Sequence, residues 1–521
     1  MRVIDYFDKA AGRCGDQALV VADEATYTYG EARESSERIA CSLRAIGAEV
    51  GDRVGILAPN VPEALLAMLG IWRAGAVWVP LNPRNAPAAN VDFMNEVGCT
   101  WLFLHSSLHA QLDAIGRHVP TLRSVVCLDE AFDGGEPITD FLARGGDGKL
   151  PDWGNPFGSP ELPCVIWPTG GTTGNSKAVI MTNQVWSSVI ELASRHWPRA
   201  ENAVNLMVAP ITHAAGVMAM VYASLGATIV MRHGFDASEV LDSIEHYRVT
   251  HIFLPPTAYY AVLDHQRREP RDCGSLRMLL LGGAPVSPQR FGAGVAVFGP
   301  CLVQCWGQTE SPFMLTWLGP DEVASAAAGD RSERLASCGR PTFSSQVVAM
   351  DESGTILKPG QVGELVARGH LVSPGYLGRP KATAEVRTFG WHHTGDVGYI
   401  DDDGYVYIVD RMKDMVITGG FNVYCTEVEA AIMELPEVLE CAVIGVPDDK
   451  WGEAVLAVVA SADPGWRDDA AVIAAARKAL GSVKAPKHVE FARTLPKTTV
   501  GKIDKGALRA RYWAGHERAV N

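Results

Sequence analysis

The residues best suited to chemistry begin with one run, Trp167-Pro168-Thr169-Gly170-Gly171-Thr172-Thr173-Gly174-Asn175-Ser176-Lys177. It carries three glycines, three threonines, a serine and a lysine, with apolar stretches at 164–167 and 178–181 on either side. Glycines let a backbone turn sharply and bring its N–H groups close to an anion. The hydroxyls of Thr169, Thr172, Thr173 and Ser176 add donors, and Lys177 adds a full positive charge. A loop of this make-up can wrap a polyphosphate. It is not a Walker A loop, which needs Gly-Lys-Ser/Thr after its spaced glycines. Nor does a Gly-x-Gly-x-x-Gly dinucleotide fingerprint follow a predicted strand. Alone, the same composition also makes an ordinary Gly/Thr surface turn, and other residues must decide.

The 521 residues carry a formal charge of −14, which argues against a nucleic-acid partner because such proteins present a basic footprint. An anionic substrate must then find local positive charge, and Lys177, Arg411 and Lys502 are the candidates. The eleven cysteines lack paired short spacings; Cys301 and Cys305 are closest, with no second pair to complete a zinc site. They read as reduced, packed thiols of a cytoplasmic protein. The start, Met1-Arg2-Val3-Ile4-Asp5, is too charged for a secretory signal. Residues 202–231 contain no Lys, Arg, Asp or Glu, long enough to raise a membrane span. Pro210, His213, Gly216 and Gly226 interrupt them, so a strand, a turn and a buried helix are expected and no membrane span.

Positioning such residues falls to alternating elements. Residues 31–46 read as a helix ending at Gly47, 53–57 as a strand, 62–73 as a helix and 76–81 as a strand. Strands alternating with helices point to an α/β fold with an open, largely parallel sheet. The pattern resumes with strands at 250–254 and 278–281, each ending in turn residues, Pro255-Pro256 and Gly282-Gly283. Ligands in such sheets sit beyond the strands' carboxyl ends. From about 335, short apolar runs between glycine turns (Asp351-Glu352-Ser353-Gly354, Lys358-Pro359-Gly360, Asp401-Asp402-Asp403-Gly404) predict a small antiparallel, barrel-like β unit. A compact α+β module follows, with helices at 426–433 and 468–480 and a strand at 441–446.

Read in order, these motifs resemble the adenylate-forming superfamily, in its acyl-CoA synthetase branch. The resemblance runs from about residue 20 to 510. The loop at 169–177 is joined by Gly282-Gly283-Ala284-Pro285, Trp306-Gly307-Gln308-Thr309-Glu310 and Gly363-Glu364-Leu365. Thr394-Gly395-Asp396, Asp410-Arg411-Met412-Lys413-Asp414, Gly419-Gly420-Phe421-Asn422-Val423-Tyr424 and Pro496-Lys497-Thr498-Thr499-Val500-Gly501-Lys502 complete the set. Independent motifs in one order are a specific signal.

The resemblance implies an ATP-dependent acid:CoA ligase. A carboxylate attacks the α-phosphate of ATP, pyrophosphate leaves, and CoA then takes the acyl group from the acyl-adenylate. Positioned cations and N–H donors stabilise the phosphoryl charge. Thr169, Gly170, Gly171, Thr172, Thr173, Gly174 and Lys177 would hold the β- and γ-phosphates. Glu310 would ligate Mg²⁺, with Thr309 near the α-phosphate. Gly283, Ala284 and Pro285 would wall the adenine on one side, and Trp306, next to Gly307, would stack on the other. Asp396 and Arg411 would bind the ribose hydroxyls. Lys502 would bridge carboxylate and α-phosphate during adenylation. Residues 1–409, including the β unit at about 335–409, would form the large N-terminal domain. Residues 410–521 would form a smaller mobile domain, hinged at Asp410, that presents Gly420 to the pantetheine arm.

Departures from the family pattern are Gly170, Ser176, Ala178, Trp306, Cys425 and Val483, none of which removes a charged catalytic group. The acyl pocket is expected at 210–218, above all His213, with Gly282 and the 303–306 strand. No Asp or Lys lies in 210–218, which suits an aryl or medium-length apolar acid. A phosphopantetheine on a carrier protein is the alternative acceptor. An unusual acid such as nitrite, on a diazo-forming route, is an alternative substrate, and a catalytically dead nucleotide-binding scaffold is the non-enzyme reading.

Overall fold

A computed structural model describes residues 1–23, 25–146, 150, 160–169, 177–199, 202–461, 463, 465–498 and 502–514. Gly170, Gly171, Thr172, Thr173 and Gly174 lie outside the described residues. The chain forms two compact units by packing. The first comprises Met1–Thr169, Ser176–Gln346 and Arg368–Glu385, and the second includes Val347–Ala367 and Val386–Asn521. By this grouping residues 347–367 and 386–409 fall with the C-terminal residues.

The first unit is built on two sheets. A seven-stranded sheet has the spatial order Glu136–Pro137, Ser124–Cys127, Trp101–Leu104, Arg53–Leu57, Val77–Leu81, Pro163–Pro168, Ala178–Thr182. Its pairs are parallel except the last, Pro163–Pro168 with Ala178–Thr182, which is antiparallel and brackets the glycine-rich loop. A nine-stranded sheet runs Arg340–Pro341, Ser311–Leu318, Leu302–Gln308, Met278–Leu281, His251–Leu254, Val204–Met207, Thr228–Met231, Ala18–Val21, Thr26–Thr28. It is parallel from Leu302–Gln308 through Ala18–Val21 and antiparallel at both edges. Parallel strands need both faces covered, and these strands are accordingly almost wholly apolar and buried.

Local chemistry sets the element ends. The helix Pro62–Arg73 starts with proline at its first position, where a missing N–H costs nothing. The helix expected from residue 31 begins at Tyr29 and runs to Ala45, because Thr28 and Glu31 form a reciprocal capping box. The uncharged stretch resolves into the strand Val204–Met207, the helix Ala214–Leu225 and the strand Thr228–Met231. Among the described residues no helix is long and apolar enough to cross a membrane.

In the second unit the small β unit is a four-stranded sheet, ordered Ser345–Met350, Gly363–Gly369, His392–Ile400, Val406–Arg411. The texture change at about 335 precedes it, since Arg340–Pro341 still pairs with the Ser311–Leu318 strand. Beyond it lies a five-stranded sheet led by the long antiparallel pair Val438–Asp448 and Gly452–Ser461. The helices Cys425–Ile432 and Asp469–Lys484 close a core of Val, Ile and Ala side chains over this sheet. Gly481, at φ 82°, breaks the second of these helices, so its regular part ends near Leu480.

Candidate active site

In the first unit, four neighbouring parallel strands deliver the expected site segments at their carboxyl ends. Val204–Met207 leads to His213, His251–Leu254 to Pro255-Pro256, Met278–Leu281 to Gly283-Ala284-Pro285, and Leu302–Gln308 to Thr309 and Glu310. Gly283 sits in the left-handed region at φ 83°, a conformation that favours glycine. Thr309 and Glu310 are the two-residue turn between Leu302–Gln308 and Ser311–Leu318. Gly307 is forced by that turn: a Cβ there would come 2.6 Å from the Phe313 nitrogen and the Ser311 carbonyl oxygen. Trp306 is buried, with 6 % of its surface exposed.

The glycine-rich loop is pinched shut at its base. The Thr169 N–H donates to the Lys177 carbonyl, and the Lys177 N–H donates to Thr169 Oγ1, both at 2.9 Å. Trp167 Nε1, two residues before Thr169, donates to the Thr212 carbonyl at 2.9 Å. The loop strand and the expected acyl segment are thereby tied together. Asn60 organises the same segment: its Oδ1 accepts from the Ile211 N–H, and its Nδ2 donates to the Ala209 and Arg232 carbonyls. His213 occupies the N-cap position of the helix Ala214–Leu225 without a side-chain capping bond, and its Nδ1 lies 3.2 Å from Thr212 Oγ1. Beneath this segment, Asn205, Met207, Ala215, Met218 and Phe253 border a cavity of about 10 Å³. That holds roughly one water.

Glu310 and Lys177 both contact one residue, Tyr376, to which the motif order assigned no role. Tyr376 donates its hydroxyl to Glu310 Oε1 at 2.7 Å, and Lys177 Nζ lies over its ring, 4.7 Å from the centroid. The only local signal is Gly375-Tyr376 after Ser373-Pro374, outside the ordered motifs. Glu310 offers one carboxylate, a hard donor. Among the described residues no three His, Cys, Asp or Glu side chains gather into a cage. A single carboxylate fits Mg²⁺, which keeps most of its shell for water and phosphate oxygens.

In the second unit, Asp396 and Arg411 face each other across the ladder between His392–Ile400 and Val406–Arg411. Arg411 Nε lies 2.6 Å from Asp396 Oδ1, and Asp396 is 2 % exposed. The Glu364 carboxylate holds this turn: Oε1 accepts from the Gly395 N–H at 2.9 Å, and Oε2 sits 2.7 Å from His393 Nδ1. That gives the Gly363-Glu364-Leu365 motif a physical task. Lys502 stands within electrostatic reach of Asp396, Arg411 and Lys413, and its pKa is lowered to about 8. Surrounding protein is the leading cause and the Arg411 cation the next; Asp396 pulls the other way, and Lys413 lowers it further. The side chain keeps an exposed surface, so water still reaches it. Gly420, at φ 81°, turns the hairpin between Val416–Thr418 and Phe421–Val423, on a different sheet from Asp396.

Asp410 is 1 % exposed and accepts the N–H groups of Arg411 and Cys425. Burial pushes its carboxyl up to about 7, against the pull of Lys505 and those two N–H groups, with Glu429 adding to the rise. Lys505 Nζ lies 2.6 Å from Glu429 Oε1, and Arg509 Nη1 lies 2.6 Å from Asp414 Oδ1. Burial works against the Lys505 ammonium, but Glu429, Cys425, Asp410 and Asp414 together hold it above its ordinary value.

With this geometry in hand, comparison with known proteins is specific. The sequence profile for AMP-binding enzymes matches residues 7–377, and that for the AMP-binding enzyme C-terminal domain matches 427–502. A medium/long-chain fatty-acid CoA ligase of Mycobacterium tuberculosis is 35% identical over 98% of this chain and 90% of its own. A feruloyl-CoA synthase of an Amycolatopsis species is 38% identical over 93% of this chain and 94% of its own. Among solved structures, an amide bond synthetase from Marinactinospora thermotolerans superposes with a TM-score of 0.87 at 30% identity, covering 98% of this chain and 99% of its own.

Proposed function

The chain belongs to the family of AMP-binding enzymes and is an ATP-dependent, AMP-forming acid:CoA ligase, and from that premise we propose that it activates an apolar carboxylic acid of the aryl or fatty class. The observation that carries the acid class is the composition of residues 208–218, where His213 is the one ionisable side chain. Apart from His213, a charged second group on the substrate would find no ionisable partner in this segment, and burying it unpaired costs several kcal/mol. The similarity to ligases for fatty acids and for ferulate agrees with this.

Lys177 and Thr169, with the loop between them, bind the β- and γ-phosphates of ATP. Glu310 holds Mg²⁺, which neutralises phosphate charge when bound, and Thr309 lies near the α-phosphate. Gly283, Ala284, Pro285, Trp306 and Gly307 form the adenine site. Asp396 and Arg411 take the ribose. Lys502 contacts carboxylate and α-phosphate in the first half-reaction, and His213 borders the acid. Residues 1–409 and 410–521 move about Asp410 between half-reactions, bringing Gly420 to the thiol arm of CoA. A reduced compartment suits the eleven cysteines, all unpaired, and the enzyme is read as cytoplasmic.

The 30% identity to an amide bond synthetase favours one second reading, an amine as acyl acceptor. The test is product analysis with ATP, Mg²⁺ and a panel of benzoic, hydroxycinnamic and C6–C12 acids. Each acid is offered CoA, a phosphopantetheinylated carrier or a primary amine, with dicarboxylates or nitrite in place of the acid as further arms. Acyl-CoA from an aryl or fatty acid supports the proposal. Turnover only of dicarboxylates or of nitrite, or amide without thioester, contradicts it.

A further inference from the structure

Tyr376 lies between two groups whose charges attract. Among the described residues, Lys177 and Glu310 form no direct ion pair; the tyrosine ring takes the ammonium on its face and its hydroxyl meets the carboxylate. The residue is 7 % exposed, and its backbone is held from several sides. Tyr376 bridges to Val179 in antiparallel fashion, the Ile180 N–H donates to the Gly375 carbonyl, and the Leu377 N–H donates to the Ala178 carbonyl. The Tyr376 N–H donates to Thr383 Oγ1 at 3.0 Å. At the other end, the Ser373 N–H donates to the Glu310 carbonyl at 2.8 Å. One short segment is thus laced both to the strand that follows the glycine-rich loop and to the turn that carries Glu310.

We propose that Tyr376 is a positioning residue that keeps Lys177 and Glu310 apart and aimed, so that one remains available to phosphate and the other to Mg²⁺. Opposite charges that share one neighbour attract, and a direct pair between them would spend the cation and the metal ligand on one contact. The aromatic face holds the ammonium by its quadrupole, a weak, non-covalent grip that a polyphosphate can outcompete. The hydroxyl fixes one carboxylate oxygen and leaves the second for a metal. This inference rests on the phosphate and metal roles proposed above for Lys177 and Glu310.

The test is acid-dependent ATP–pyrophosphate exchange, with KM for ATP and the half-saturating Mg²⁺ concentration measured separately. Tyr376→Phe keeps the ring and loses the hydroxyl. It should raise half-saturating Mg²⁺ about tenfold, the scale of a lost hydrogen bond to a charged group, and leave KM for ATP within about twofold. Tyr376→Leu removes both contacts and should raise both constants. A thermal midpoint unchanged in Tyr376→Phe separates positioning from folding. An unchanged Mg²⁺ dependence in Tyr376→Phe, or an equal loss of kcat with neither constant moved, overturns the inference. Glu310→Gln and Lys177→Met run in parallel. If they alter Mg²⁺ and ATP dependence while Tyr376→Phe does not, the positioning claim alone fails. If they too change nothing, the assignment of the site is what failed, and the inference falls with it.

Discussion

Lys502 concentrates the residue-scale argument. Its pKa of about 8 stands below the ordinary lysine value, so it is cationic at neutral pH and loses its charge as pH rises through about 8. Adenylation that needs this charge should decline above that pH. Lys502→Arg, whose guanidinium does not deprotonate, should flatten the basic limb of pyrophosphate exchange even if the rate is lower. The same basic limb in both enzymes would remove Lys502 from the proton balance. Lys502→Ala should lose adenylation by about 10²–10³-fold while thiol attack on supplied acyl-adenylate survives. Motif order supplied these residues from the sequence, because a glycine turn or a lone lysine is a short-range signal. Tyr376 escaped, because its significance comes from two partners 66 and 199 positions away in the chain, Glu310 and Lys177.

At the scale of elements, two substitutions probe how local structure serves the site. Gly216 lies in the first turn of Ala214–Leu225, the helix proposed to border the acid, and a Cβ there would lie 1.9 Å from the Ile211 carbonyl oxygen. Gly216→Ala should therefore destabilise the protein by about 1–3 kcal/mol and raise KM for the acid more than for ATP; a neutral thermal midpoint would mean the helix start relaxes freely. Cys425 departs from the proline usual in the family, and here its N–H donates to the Asp410 carboxylate from the first position of the helix Cys425–Ile432. Proline fits that position without strain but cannot donate. Cys425→Pro should leave adenylation within about twofold and speed thioester formation by up to about tenfold, since one restraint on the hinge is gone. Equal changes in both half-reactions would show that the bond does not restrain the hinge. Strand and helix positions were legible where apolar period and turn residues coincide, as at Arg53–Leu57 and Pro62–Arg73. The start of the helix at Tyr29 was misplaced because the Thr28/Glu31 capping box outweighs the later apolar pattern.

Across the whole molecule, the proposed alternation between half-reactions must be compatible with a strongly charged cluster around Asp410. Asp410 titrates near 7, against an ordinary value of 3.8, so the folded state holds its proton where the unfolded chain has lost it. Stability from this group is full below about pH 4 and is lost as pH rises through about 7. The denaturant midpoint of the wild type should therefore fall more between pH 5 and 8 than that of Asp410→Asn; parallel curves would contradict the raised carboxyl. The α/β class could be read from alternating strands and helices. The order of the nine-stranded sheet could not, because pairing between strands such as Ala18–Val21 and Thr228–Met231 depends on contacts far apart in sequence. The grouping of the four-stranded sheet with the C-terminal residues was likewise invisible in local pattern. The measurement that goes most directly to the centre of the account is exchange of labelled pyrophosphate into ATP without CoA, with an apolar acid and Mg²⁺ present. Exchange that requires the acid and collapses in Lys502→Ala is the predicted result; exchange with no acid of the panel, or exchange indifferent to Lys502, would contradict it.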